Sequence, residues 1–299
     1  MTALLTIVAL VAFAANSILC RVALRPGAID PASFTAARLL SGAIALAVIA
    51  GLARKRARGG SHAGSWASAF LLFLYALPFS LAYVSLGVAT GALILFFTVQ
   101  ATMFLGAVVS RERIHWLEIN GIAVALAGLA HLMKPGLSAP PALGAALMAL
   151  AGIAWGLYSL RGRRSTDPVG DTASNFARSA PMALAAFAVA APLGQFHVST
   201  HGLLLACASG ILASGAGYAA WFAALPKLNS LQAAALQLTV PLIAAVGGIV
   251  FLGEQPTRRL ILSAVFILGG VGLAIAGRML RARSAERDTA ATTPAREKS

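Results

Sequence analysis

An apolar run of about 20 residues, the length with which an α-helix crosses roughly 30 Å of hydrocarbon, recurs along this chain and limits what it can fold into. Reading the runs against their breaks places ten spans, at residues 3–24, 32–53, 66–86, 90–110, 114–133, 141–162, 172–193, 202–224, 230–252 and 257–280. The tightest joints, Gly87 to Gly91 and Pro226-Lys227-Leu228-Asn229, carry turn chemistry. Water is absent from the bilayer core, so each span must satisfy its own backbone hydrogen bonds and is expected to be helical. Composition excludes a soluble alternative. Hydrophobic residues make up 59% of the chain and charged residues 11%, against about 25% charged in soluble domains.

A formal net charge of +14 raises nucleic-acid binding, but the placement of the cations argues against it. They lie in short clusters between apolar runs: Arg54-Lys55-Arg56 with Arg58, Arg111 and Arg113, Arg161 to Arg164, and Arg278 to Arg287. That is the pattern of cytoplasmic loops facing anionic lipid. With a cytoplasmic N-terminus, the 23 Lys and Arg divide into sixteen inside and five outside, with Arg38 and Arg178 within helices. The five outside are Arg21, Arg25, Lys134, Arg258 and Arg259. Both termini are therefore expected in the cytoplasm. Ala12-Phe13-Ala14 resembles a signal-peptide cleavage site, yet no positive charge precedes the first run, so that run is expected to be a retained helix. Cys20 and Cys207 fall inside apolar runs and read as small core residues, not a disulfide.

The chain also repeats itself. A shift of 140 residues lays Ala14–Arg21 on Ala154–Arg161 and Ala37-Arg38 on Ala177-Arg178, and a shift of 142 lays Glu112 on Glu254 and Gly128 on Gly270. The matches occur in order at nearly constant offset, which points to duplication. Residues 1–137 form a first five-helix repeat, 138–283 a second, and 284–299 a tail expected to be disordered in the cytoplasm. An odd number of spans per repeat sends the second half into the membrane from the opposite side. Inverted repeats of this kind are a transporter architecture, with the substrate site between the halves.

These features resemble the drug/metabolite transporter superfamily, in particular its EamA-type ten-helix members. The resemblance rests on Trp155-Gly156 and Arg161 in the sixth span and the Ala-Arg pairs at Arg38 and Arg178. It rests also on the glutamates that follow the fourth and ninth spans, in Arg111-Glu112-Arg113 and Gly253-Glu254-Gln255. It covers all but the tail, and it departs at Ala15-Asn16, where the second half has Trp155-Gly156. It implies ten helices in the inner membrane and export of metabolites such as amino acids, with similarity to bacterial exporters of aromatic amino acids. Small multidrug exporters of the superfamily use a glutamate within the first helix, and its sugar-phosphate translocators use deep cations. This sequence has neither that glutamate nor a lysine deep in a span.

Polar side chains at membrane depth are costly and face protein or a water-filled path. Asn16, Gln100, Ser214, Gln237 and Thr239 meet that description, either as substrate ligands or as bonds between helices. Aromatic residues repeat at helical spacing: Tyr75 and Phe79, Phe97 beside Gln100, Trp155 and Tyr158, and Tyr218 and Trp221 after Ser214. The candidate substrate-binding set is Asn16, Tyr75, Phe79, Phe97, Gln100, Trp155, Tyr158, Ser214, Tyr218 and Gln237. Pro78 and Pro241, read as near mid-span, are candidate hinges, and Trp66 and Trp116 are interfacial anchors. Arg38 and Arg178, roughly two turns inside their helices, either hold a substrate carboxylate, or snorkel toward the nearer face or bond helix-end carbonyls, and the latter pair of roles is expected. Glu112 and Glu254 are expected to cap backbone or pair with neighbouring arginines. Gly152-x-x-x-Gly156 and Gly269-Gly270-x-Gly272 are expected to bring helices close.

The expected protein is a secondary transporter of neutral or aromatic amino acids, working by alternating access on a small-molecule substrate within the lipid bilayer. With no counter-ion foreseen at the depth of the aromatic residues, Asp and Glu are expected to be poor substrates. All nine acidic residues lie at helix ends, in loops or in the tail, which favours facilitated diffusion or exchange over a proton relay. The competing readings are a membrane enzyme acting on lipid-like substrates and a passive channel. The first needs paired carboxylates or a metal cluster, and the second needs rings of charge or carbonyl-rich loops. His197 and His201 are four apart but lack a carboxylate partner. No Gly-rich nucleotide loop with a Lys appears, so neither metal nor cofactor is expected.

Overall fold

The computed structural model describes residues 2–25, 27–54, 64–111, 114–136, 139–162, 165–193, 196–224, 227 and 236–292. Among the described residues the chain is helical throughout, apart from an isolated β-bridge between Ile29 and Val198. The first seven helices are α1 (Thr2–Leu24), α2 (Pro31–Arg54), α3 (Trp66–Tyr83), α4 (Val88–Val109), α5 (Trp116–Met133), α6 (Ala142–Gly162) and α7 (Pro168–Ala190). A continuous helix α8 follows, α-helical over Thr200–Ala208, π-helical over Ser209–Ala216 and α-helical again over Gly217–Ala224. The last two are α9 (Thr239–Leu252) and α10 (Arg258–Thr292).

Local chemistry accounts for the boundaries. Ser65 accepts from the backbone N–H of Ser68 to cap α3, and Asp167 does the same for Gly170 ahead of α7, where Pro168 occupies the first turn. That cap starts α7 four residues before the expected 172. Gly253, at φ 64°, closes α9 in the left-handed conformation that glycine adopts without a Cβ penalty. The expected ninth span began at 230. Residues 228–235 lie outside the described residues, and the described helix begins after Leu238. The expected tail began at 284, and α10 extends past that point to Thr292. The sequence beyond Arg278 is rich in Ala and Arg and holds no Gly or Pro before Pro294. Good helix formers with no breaker simply continue the preceding helix.

Among the described residues, eight helices are long and apolar enough to cross a membrane, namely α1 to α6, α8 and α10. The described part of α9 has 14 residues, and α7 carries Asp171, Asn175 and Arg178 in its first three turns. Large apolar side chains stand exposed along the outside of the bundle, among them Ile44, Val109, Leu143 and Phe251 at 66–76%. In water such a surface would drive aggregation, and in lipid it is the proper solvent. The chain is a multi-pass membrane protein. Trp66 and Trp116, both more than 60% exposed at helix starts, occupy the position expected of interfacial anchors.

Glycines set how closely the helices approach. A Cβ on Gly152 would meet Thr98 and the Leu95 carbonyl of α4, and one on Gly156 would meet Thr102. The expected close contact through this Gly-x-x-x-Gly pair is therefore present between α4 and α6. In the glycine cluster of α10, Gly270 lies against Gly121 and Ala125 of α5, whereas Gly269 faces open space and Gly272 barely meets a neighbour. Gly42 of α2 and Gly210 of α8 meet backbone to backbone, which draws the π-helical segment against α2.

Candidate functional site

At the centre of the bundle, helices from both halves of the chain bring aromatic rings around one buried arginine. Arg38 projects from α2 and is 1% exposed. Its guanidinium lies 5.2 Å from the ring centre of Tyr75 and 5.3 Å from that of Phe79, both on α3. This is cation–π distance, where the negative ring faces offset part of the cost of burying a cation. The Nη2 group donates to the Tyr75 hydroxyl at 3.2 Å and Nε to Ser214 Oγ of α8 at 3.3 Å. The remaining nitrogen, Nη1, is buried without a partner.

The rings form a continuous wall. Trp155 of α6 is its hub, with ring centroids 4.9 Å from Tyr75 and 5.4 Å from both Tyr158 and Tyr218. Tyr218 of α8 also meets Phe13 of α1 and Phe176 of α7 at 5.6 and 6.0 Å. Phe79 joins Tyr75 and Tyr83 at 5.3 and 4.8 Å. Polar tips are threaded through this wall. Asn16 Nδ2 donates to the Tyr75 hydroxyl at 3.2 Å and its Oδ1 accepts from Ser209 at 2.6 Å, while Asn175 Nδ2 donates to the Tyr158 hydroxyl at 3.4 Å.

The π-helical stretch of α8 explains how Ser209 and Ser214 both reach the centre. Hydrogen bonding from i to i+5 stacks residues five apart, which an ordinary α-helix would turn onto different faces. Ser209 thereby meets Asn16 while Ser214 meets Arg38.

Seven of the expected site residues come together here: Asn16, Tyr75, Phe79, Trp155, Tyr158, Ser214 and Tyr218. Three stand apart from this set. Phe97 packs with Leu93, Ala125, Ile267, Val271 and Ile275 in a separate apolar cluster between α4, α5 and α10. Gln100 is buried one turn further along α4. Gln237 is half-buried and helical, just ahead of the break at Leu238 that precedes α9. Pro78 lies inside α3. Pro241 lies in the first turn of α9, three residues after the break at Leu238, and the earlier part of its expected span, 230–235, lies outside the described residues.

Two expectations about charge are overturned. Arg38 does not snorkel to a face but stays among the rings, and a cation therefore does sit at the depth where none was foreseen. Its repeat counterpart Arg178 is half-buried and bonds Ser174 near the start of α7. Phe13, Asn175 and Ser209 are further members of the wall that spacing alone had not singled out.

Ion pairs and caps tie the two ends of the bundle. At the end holding the α1–α2 and α7–α8 joints, Glu254 accepts from the Val88 backbone N–H at 3.0 and 2.9 Å and lies 3.9 Å from Arg21. Arg21 in turn donates to the carbonyls of Tyr83 and Val84. The expected capping and pairing role of Glu254 is thus observed, and Glu112 lies outside the described residues. These groups border a cleft of about 450 Å³ that also meets Arg25, Pro141 and Thr257. At the opposite end, Arg161 of α6 donates to Ser68 of α3, and the α3 entry donates from Gly64 and Ser65 to Asp171 and Asn175 of α7. Glu118, fully buried at the start of α5, accepts from the His115 backbone N–H and pairs with Arg278 and Arg281 of α10 at 3.3 and 3.4 Å. Cys20 and Cys207 are both free. Among the described residues no group of three His, Cys, Asp or Glu side chains is placed to hold a metal.

Known proteins agree with this architecture. The sequence profile of the EamA-like transporter family matches residues 1–133 and 142–276. A Pseudomonas aeruginosa protein of uncharacterized function is 48% identical over 281 residues, covering 94% of this chain and 96% of its own length. A probable terminal-alkyne amino-acid exporter of Streptantibioticus cattleyicolor is 28% identical, with 89% of each chain covered. A probable amino-acid metabolite efflux pump of Escherichia coli is 26% identical over 65% of this chain and 70% of its own. A crystal structure sharing 20% identity superposes with a TM-score of 0.63, covering 93% of this chain and 99% of that one, which supports the fold. Profile and relatives together span nearly all the described helices, and the chain belongs to the EamA-like transporter family.

Proposed function

We propose that this chain is a secondary transporter of the bacterial inner membrane that exports neutral or aromatic amino acids by alternating access. The observation that carries this reading is the aromatic wall at the bundle centre, to which α1, α2 and α3 of the first half and α6, α7 and α8 of the second all contribute. Large apolar faces with a few polar tips suit an amino acid with an apolar or aromatic side chain. The relatives named as amino-acid exporters support the same class of solute. Family membership points to a transporter rather than an enzyme.

Alternating access requires two halves that can rock against each other around the site. Two observations support an inverted repeat. The family profile matches two segments of nearly equal length. The helix packing is also unchanged in outline when each helix is exchanged with the one five places away. Under that exchange α2 on α7, α4 on α9 and α5 on α10 map onto themselves, while α3 on α6 maps onto α8 on α1 and α4 on α6 onto α9 on α1. In this reading both termini are cytoplasmic, the Glu254 end faces outward, and the cleft beside Arg21 is the outer vestibule.

The test is uptake and counterflow in liposomes with a labelled amino-acid panel. Neutral and aromatic members should move faster than Asp and Glu, and a panel that stays outside at every concentration refutes the reading. Because the described carboxylates lie at helix ends, flux should not follow an imposed pH gradient at clamped membrane potential. Strong acceleration by the gradient would refute facilitated diffusion or exchange in favour of proton coupling.

A further inference from the structure

Resting on that reading, we propose that Arg38 is the carboxylate-recognition residue, and that the transported solute carries one carboxylate beside an apolar group. A cation taken out of water is tolerated in a protein interior when it is paired and fully hydrogen-bonded. Arg38 is neither. It is 1% exposed, its acceptors are the neutral oxygens of Tyr75 and Ser214, and Nη1 has none. Among the described residues no carboxylate pairs with it, although each buried or half-buried glutamate elsewhere is matched by arginine, Glu118 with Arg278 and Arg281 and Glu254 with Arg21. An ionisable residue that membrane depth makes expensive and structure leaves incomplete marks a solute path.

The chemistry of the surroundings narrows the ligand. A guanidinium presents a planar fork that matches a carboxylate, and Tyr75 and Ser214 hold two of its corners so that Nη1 points its hydrogens at one place. Next to it, Tyr75 and Phe79 carry the guanidinium on their ring faces, and Trp155, partly exposed against Tyr75, offers flat apolar surface for a ring or branched side chain. The Trp155 ring can also take an ammonium by cation–π attraction. A zwitterion is therefore accommodated, and so is an aromatic acid without the ammonium. Counting charge gives the selectivity. One guanidinium takes one carboxylate, and an acidic amino acid brings a second that nothing at the bundle centre neutralises. An amide or amine analogue brings none and leaves Arg38 as incomplete as before.

The experiment compares phenylalanine, 3-phenylpropionate and phenylalaninamide as ligands of the purified full-length protein, by the rise in its thermal midpoint with concentration, and as solutes in liposomes. The expected result is binding of both carboxylates and binding of the amide weaker on the order of tenfold to hundredfold, the worth of a charge-assisted bond to a buried group. Arg38→Gln should remove the difference, and Arg38→Lys should restore part of it as a point charge without the fork. Equal binding of acid and amide by the parent protein overturns the proposal, and this arm needs no variant to fold. So does an Arg38→Gln protein that discriminates as its parent does. Phenylalanine transported equally well by Arg38→Gln sinks the Arg38 role and leaves the transporter reading standing. Carboxylates that bind in an Arg38-dependent way but cross no liposome sink the transporter reading and leave the Arg38 role standing. Failure of all three compounds to bind overturns this inference outright.

Discussion

Trp155→Ala separates a substrate-binding wall from an ordinary core. Trp155 touches three other rings, Tyr75, Tyr158 and Tyr218, at centroid distances of 4.9–5.4 Å. Each such pair is worth about 0.5–1.5 kcal/mol beyond area burial, and truncating a buried Trp to Ala costs about 3–5 kcal/mol in total. Because the residue is partly rather than fully buried, the lower end is expected, about 3 kcal/mol of stability. If the solute rests on the same ring face, it loses one further aromatic contact of about 1 kcal/mol, roughly a fivefold rise in apparent KM for aromatic substrates. Small neutral substrates, which reach the ring less fully, should lose less, so the ratio of KM values between phenylalanine and alanine should shrink. Trp155→Phe should keep most of both properties. The assay is initial-rate uptake in liposomes at matched protein content, with thermal unfolding measured in parallel. A variant that loses stability yet keeps the parent's KM ratio would refute the wall and leave Trp155 as packing.

Gly152→Ala puts a methyl group against Thr98 and the Leu95 carbonyl of α4, so it should cost about 1–3 kcal/mol by overpacking, read as a lowered thermal midpoint. Gly269→Ala, which meets open space, is the control and should leave the midpoint unchanged. Glu118→Ala removes the partner of two arginines that are 20–24% exposed and can return to water. Its cost should therefore fall short of the roughly 3–5 kcal/mol of a sealed buried pair, while exceeding that of Glu118→Gln, which keeps an acceptor for the His115 N–H; equal midpoints for parent and both variants would refute this. Reporters fused after residue 60 and after residue 299 should read cytoplasmic and one near residue 30 external, and an external C-terminus would overturn the inverted arrangement.

Much of the architecture was legible without coordinates because the bilayer is a simple solvent. Span length is dictated by hydrocarbon thickness, backbone pairing by the absence of water, and the close contact at Gly152 and Gly156 by the lack of a side chain. Aromatic residues at helical spacing on α3, α6 and α8 marked a common face, since helix geometry alone sets which residues align. Sequence could not say which faces meet. Phe97 has the same local pattern as Tyr75, yet the packing of α4 turns it toward α10. Ser209 and Ser214 both reach the bundle centre because α8 winds as a π-helix there, next to where Gly42 and Gly210 let α2 approach. Arg38 shows the division most plainly. Its distance along α2 left open a side chain snorkelling to the near face, since the stem can reach in either direction. Only the tertiary structure decided that rings from α3, with Ser214 from the other half, hold it inside. The free energy of a buried charge depends on what surrounds it, and those surroundings are assembled from residues far apart in the chain.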